Sequence, residues 1–386
     1  MKKKISLLLA MVLIISSLTN IVGAETTNTE ENKVIELSME DAVKLAIEND
    51  RGMWKIDDQI RELQDLRRKG SDAKELYEFL TEIPLSAVPS EVDYVTLILS
   101  KNDFYSKTAE LRTKELNKGR EQLLIGIEIE TKGYYYEVLI AEKSIEINES
   151  KLSKANEQLR VVNLKFNNGS ATKAEVLNAE MAVQQSKTDL DSAMDDLNIA
   201  RLDLLNKLDL PFETEIILTD VELAYVPTTE IDINAAIEKA KLERAEILKA
   251  ENDLELQKIE THAYKAYYTS NLRQHKSAVE KLKDAELNVP QAYKDVELDV
   301  RKSYLNLVKA ERALVNMDKT VELSKEAARI NKLLYDNGMA TSLDVLEADT
   351  NLAQAEIGRY NLLALYNMNK LMFDNSNLIG TMTTMP

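Results

Sequence analysis

The 386-residue chain has no cysteine, only 10 glycines and 6 prolines, one tryptophan and two histidines. The absence of cysteine excludes disulfides, thiolate metal sites and a lipid attached to a cysteine after a leader. So few glycines and prolines supply too few turns for an extensive sheet, and the composition points to long helices. Positive charge is also in short supply, with Lys+Arg 49 against Asp+Glu 66 for a net charge of −17. That balance argues against nucleic acid and anionic lipid surfaces as partners. No phosphate-binding glycine loop is present. On a continuous helix His262 and His275 would lie about 220° apart, too far around to share a ligand. These shortages argue against an enzyme and imply neither cofactor nor metal. The histidines read as surface residues, and Trp54 as a packing residue.

The one long apolar run, Ile5 to Leu18, follows Lys2, Lys3 and Lys4 and ends at Val22-Gly23-Ala24. This is the pattern of a secretory signal peptide, residues 1–24, with cleavage expected after Ala24. The run is shorter than the roughly 20 residues that span a bilayer, and no comparable run follows.

Self-comparison reveals a duplication. Tyr135 to Glu180 aligns without gaps onto Tyr304 to Asp349 at an offset of 169, and Leu37 to Val43 matches Ile231 to Ile237 at an offset of 194. The first copy therefore holds about 25 additional residues between Asp50 and Tyr135. The copies are expected over residues 36–219 and 220–375, after a linker at 25–35 and before a tail at 376–386, with the two repeats forming one unit.

Each copy has a seven-residue period. Val138, Ile145, Leu152, Leu159 and Phe166 form one row, with Ala141, Asn148, Ala155 and Val162 beside it. Val176, Val183, Leu190, Leu197 and Leu204 form the next, with Ala179, Ser186, Ala193 and Ala200. In the second copy Leu307, Leu314, Val321, Ala328 and Tyr335 run beside Ala310, Met317, Ser324 and Asn331; the pattern loosens beyond Leu352, at Arg359. These are coiled-coil seams of alternating large and small residues. They fit a sheet of helices rolled into a tube and a compact bundle equally well.

Between the periodic helices of each copy lies a turn: Phe166-Asn167-Asn168-Gly169-Ser170-Ala171-Thr172 in the first, Tyr335-Asp336-Asn337-Gly338-Met339-Ala340-Thr341 in the second. Gly169 and Gly338 stand where a helix stops on a left-handed residue. Thr172 and Thr341 then read as N-caps, with Glu175 and Asp344 at the capping-box position.

The duplicated turns, with Val176-Leu177-Asn178-Ala179 and Val345-Leu346-Glu347-Ala348 after them, resemble those of the TolC-like outer-membrane efflux family. Leu37 to Ala42 is similar to that family's opening helix, Tyr304 to Leu307 to the approach to its second hairpin, and Leu208 to Pro211 to the end of its first repeat. The resemblance covers nearly all of the chain after the leader. It implies an all-α fold of long antiparallel coiled-coil hairpins in two tandem repeats. It further implies a homotrimeric tunnel in the cell envelope whose tips dock an adaptor (membrane fusion) protein and an inner-membrane pump.

The same resemblance assigns Asp344, Glu347, Glu175 and Tyr335 to the tunnel entrance, the acids as a ring and the tyrosine as part of a latch. Asn168, Gly169, Ala171, Thr172, Asn337, Gly338, Ala340 and Thr341 become the docking tip. The latch's basic partner has Ala340 at its position, which argues against a salt-bridged lock and leaves the acidic ring.

The family's barrel strands should fall at Gly70 to Asp103 and Ala263 to Ala285. Neither segment alternates as a spanning strand must; only Tyr94 to Leu99 allows one short strand. The expectation is a chain without the barrel, which weakens an outer-membrane location. A diderm envelope with an unusual partner and a monoderm one both fit. The rival reading is a coiled-coil spacer or adhesive protein with no channel.

Overall fold

A computed structural model describes residues 34–83, 94–220, 223–228 and 231–380. The expected leader, most of the linker, Pro84 and Pro89 lie outside these residues.

The order is β1 (Val34–Leu37), α1 (Met39–Asn49), α2 (Arg51–Glu82), α3 (Tyr94–Lys101), α4 (Phe104–Asn167), α5 (Lys173–Lys207), β2 (Glu215–Leu218), α6 (Ile233–Glu243), α7 (Ala245–Tyr267), α8 (Arg273–Asp336) and α9 (Ser342–Asp374). Two antiparallel hairpins, α4/α5 and α8/α9, make the long body, and α4 packs on both α5 and α9. The chain has the all-α, two-repeat, TolC-like fold that its turns imply.

The duplication is carried into the helix ends. α1 and α6 are 11 residues each, α4 and α8 are 64 residues each, and the starts of α4 and α8 keep the offset of 169. α2 and α7 begin at the offset of 194. The additional residues of the first copy therefore fall at 74–103, where α2 runs on and α3 is added, whereas the second copy turns directly from Tyr267 to Arg273.

The seams form the core as their period requires. Val138, Ala141, Ala155, Val162, Val176, Ala179, Leu204, Leu307, Ala310 and Leu314 are all buried. Asn148, a seam position that an apolar core would leave unpaired, donates Nδ2 to the Ser144 carbonyl one turn back at 2.9 Å. Arg359 leaves its seam to pair with Asp318 on α8.

A parallel strand pair, β1 on β2, ties the two ends of the first repeat in the register Val34 to Glu215 through Leu37 to Leu218. The fully buried Tyr135 donates its hydroxyl to the Leu37 carbonyl at 3.0 Å, and burial pushes its ionisation well above the ordinary phenol value. Sequence reading gives no strand here; four residues are too short to show alternation.

Two expectations need correction, and the one short strand that the sequence allows does not form. Tyr94 to Leu99 is not a strand but part of α3, burying Val95 and Leu99 against Ala263 of α7. His262 and His275 do not share a helix: the chain turns between them, and His275 Nδ1 bonds the Tyr268 carbonyl at 2.9 Å. Trp54 is not packed; it is 64% exposed on α2. In addition, residues 376–380 do not leave the body as a tail, since Gln122 donates to the Leu378 carbonyl at 2.8 Å and Ile379 is buried.

The described parts of 70–103 and 263–285 are helices and turns. Among the described residues no helix is long and apolar enough to cross a membrane.

Candidate functional site at the paired hairpin tips

The two turns lie side by side at one end of the body, joined by a small core of Val162, Val176, Ala179, Tyr335 and Val345 with Ala171 and Ala340 at its edge. Each is built the same way. Gly169 and Gly338 take φ of 72° and 74°, a conformation in which a Cβ would crowd the following carbonyl. Reversal there lets the Gly169 N–H donate to the Phe166 carbonyl at 2.9 Å and the Ser170 N–H to the Lys165 carbonyl at 2.7 Å. Gly338 donates to Tyr335 at 3.0 Å and Met339 to Leu334 at 2.8 Å in the second copy. This pairing satisfies the carbonyls that a helix end would otherwise leave open.

Asn168 and Asn337 are the C-cap residues, and Thr172 and Thr341 start the returning helices. Both caps are reciprocal. The Glu175 N–H donates to Thr172 Oγ1 at 3.2 Å while the Thr172 N–H donates to the Glu175 carboxylate at 2.6 Å. The corresponding distances at Thr341 and Asp344 are 3.3 Å and 2.7 Å. The backbone N–H of Thr172 holds Glu175 below its ordinary ionisation range, and the hydroxyl of Thr341 does so for Asp344.

Glu347 lies one turn beyond Asp344, and both face an open groove of about 460 Å³ between α8 and α9 that also exposes Asn331 and Asn351. Both carboxylates are exposed. Glu175 belongs to the other turn and caps it. The structure thus brings Asp344 and Glu347 together on one face and keeps Glu175 apart on the neighbouring tip.

Tyr335 is buried, with Lys165 of the first hairpin over its ring, Nζ 3.6 Å from the centroid, and Lys332 at 5.5 Å. Lys165 Nζ also donates to the Tyr335 carbonyl at 3.5 Å. A cation on an aromatic face is attracted by the ring quadrupole. The cation at this ring therefore comes from the other hairpin and not from position 340, which is Ala340. Sequence reading missed Lys165, because nothing in a linear motif says which hairpin faces the ring.

Neither the protein-family models nor the curated proteins give a match to this sequence. The likeness is in the fold. The chain superposes on the outer membrane protein VceC of Vibrio cholerae with a TM-score of 0.65 at 14% identity, covering 89% of this chain and 96% of that one. It matches the open state of the MtrE outer membrane channel of Neisseria gonorrhoeae with a TM-score of 0.63 at 14% identity, covering 93% and 96%. CusC, described for its transmembrane channel formation, gives 0.67 at 13% identity, covering 94% and 96%. All are channel or outer-membrane proteins by description, and the two-repeat helical architecture is common to them and to this chain.

Proposed function

We propose that this protein is a non-enzymatic conduit component of the cell envelope. Copies assemble as a homotrimer into a helical tunnel, and the paired tips dock an adaptor protein and an inner-membrane pump for export. Residues 1–24 serve as the export signal, and 36–219 and 220–375 act as the two halves of one unit.

The observation that carries this reading is what one copy leaves uncovered. Met181 and Ile199 on α5 lie five helical turns apart on one face and are 70% and 57% exposed. On α8, Leu298, Leu305, Leu323 and Ile330 are exposed in heptad-related positions. A hairpin whose inner seam is already filled has a second apolar row on its outside, which neighbouring copies in a ring would cover.

Three copies would bring Asp344 and Glu347 together as six carboxylates around the axis, an arrangement that favours cations. Light scattering of the chain from Glu25 onward at micromolar concentration should give the mass of a trimer. A monodisperse monomer would defeat the conduit and favour a coiled-coil spacer. Replacing Asp344 and Glu347 with Asn and Gln should lower cation preference in reconstituted assemblies, and an unchanged preference would leave both acids to capping and solvation.

A further inference from the structure

The end of the body away from the tips differs from the rest of the chain in charge. Over the whole sequence the net charge is −17, yet Thr261 to Val279 contains no Asp or Glu and carries Lys265, Arg273, Lys276 and both histidines. These residues close α7, form the turn and open α8. Lys265, Arg273 and Lys276 are exposed, and among the described residues no carboxylate lies within 4.0 Å of them.

The same end is rich in tyrosine. The rings of Tyr94 on α3 and Tyr267 on α7 stack at 5.9 Å, and Tyr268 meets Tyr267 edge-on at 4.8 Å. Tyr94, Tyr267 and Leu272 are 42%, 50% and 41% exposed, although α3 buries Val95 and Leu99 beneath them. The acids on the elements around them are Asp72, Glu75, Glu78 and Glu82 toward the end of α2, Glu260 on α7 and Glu280 on α8, which flank the acid-free stretch, and Asp103, which takes a hydrogen bond from Lys74 at 2.9 Å.

We propose that this end is an interfacial lipid anchor. Tyr94, Tyr267 and Leu272 enter the headgroup layer of an anionic bilayer, and Lys265, Arg273 and Lys276 pair with its phosphates, while the helices stay outside the hydrocarbon. Phenol rings have an apolar body and a polar tip and concentrate at such interfaces, and cations near an anionic surface add to the attraction. Two features favour lipid over a protein partner. The surface is the end of a rod about 96 Å long, from the length of α8. The acidic flanks are repelled by an anionic bilayer, so only this end can approach it and the rod is held upright. Total charge alone argues against lipid; its distribution along the rod reverses that conclusion locally.

The test is co-sedimentation of the full chain lacking residues 1–24, whose apolar run would bind lipid by itself, with vesicles of phosphatidylcholine containing or lacking phosphatidylglycerol. Binding is expected only with phosphatidylglycerol, weakening as salt rises. K265Q, R273Q and K276Q should each weaken it about fivefold, and the triple variant about a hundredfold. Y267A with L272A should weaken it at every phosphatidylglycerol content and salt concentration at which the wild type binds, whereas K187Q, on the flank of α5, should not change it. Equal sedimentation of wild type and triple variant, both helical by circular dichroism, would overturn the proposal. So would absence of vesicle binding at every phosphatidylglycerol content. Light scattering on the same samples separates this outcome from the assembly reading, since these residues are far from the tips and from the exposed rows of α5.

Discussion

The two hairpin tips share a backbone and differ in what they bury. Phe166 and Tyr335 occupy the same place in the repeat, yet Phe166 is 39% exposed and Tyr335 is 3% exposed. Local sequence accounts for the shared part: Gly, Thr and an acid at fixed spacing close the same turn wherever they occur. The difference comes from the neighbours. Tyr335 shares a cluster with Val162 of α4 and has Lys165 over its ring, while Phe166 stands outside the cluster that joins the tips. A duplicated sequence thus makes one fastened tip and one with an aromatic ring in solvent, and that second ring is the more available to a partner.

Removing each ring in turn tests this most severely. Tyr335→Ala should cost about 3 kcal/mol, in the range for a buried aromatic, whereas Phe166→Ala should cost under about 1 kcal/mol. Urea unfolding of the two variants measures both, and equal losses would dissolve the asymmetry.

The turns themselves should respond alike. Gly169→Val and Gly338→Val are each expected to lose about 1–2 kcal/mol, because a Cβ at either site meets no obstruction and only the left-handed φ is strained. A large difference between the two in thermal unfolding would mean that the tips do not share a backbone in solution.

Capping gives a smaller and pH-dependent effect. Thr172→Ala and Thr341→Ala should each cost about 1 kcal/mol. Because Glu175 and Asp344 have folded ionisation below their ordinary values of 4.5 and 3.8, their contribution is complete above those values and lost as pH falls through the lowered folded ones. Protection of the amides at residues 173–176 and 342–345, relative to their intrinsic exchange at the same pH, should therefore fall in acid, and far less so in T172A and T341A, whose caps are already open.

The smallest effect separates charge from burial at the fastened tip. Lys165→Met keeps most of the aliphatic stem and removes the cation, and should cost about 0.5–1 kcal/mol. A double-mutant cycle with Tyr335→Leu should show coupling, while Tyr335→Phe should leave it intact. No coupling would reduce the lysine to a surface residue.

The duplication, the seams and the turns were legible because each depends on residues close in sequence and recurs at a fixed period. What escaped depends on distance or on a weak local signal. Leu37 and Leu218 meet in a strand pair across most of a repeat, and neither four-residue stretch announces it. Tyr94 to Leu99 has the run length of either a strand or a buried helix, and Ala263 beneath it decides for the helix. The turn after Tyr267 is made by Tyr268-Thr269-Ser270-Asn271 without glycine or proline, so a helical wheel drawn through both histidines had no visible reason to stop. At the candidate site, the acids and caps could be read from the motif, but Lys165 over Tyr335 required two hairpins to be docked.

The equal 64-residue lengths of α4 and α8 act as a ruler. The two long helices start and stop in step in the repeat, so the tips finish together, and the described extra residues of the first copy, at the end of α2 and in α3, precede the start of the ruler in sequence and leave its length unchanged. Deleting one heptad from α4 and its partner stretch in α5 alone would draw the first tip back by about 10.5 Å, leaving Tyr335 without its lysine and any docking partner with a step where it had a flat rim. Removing the same heptad from both hairpins would shorten the rod and keep the rim flat. Length at this end of the molecule is therefore a matched quantity, free to vary only when both copies vary together.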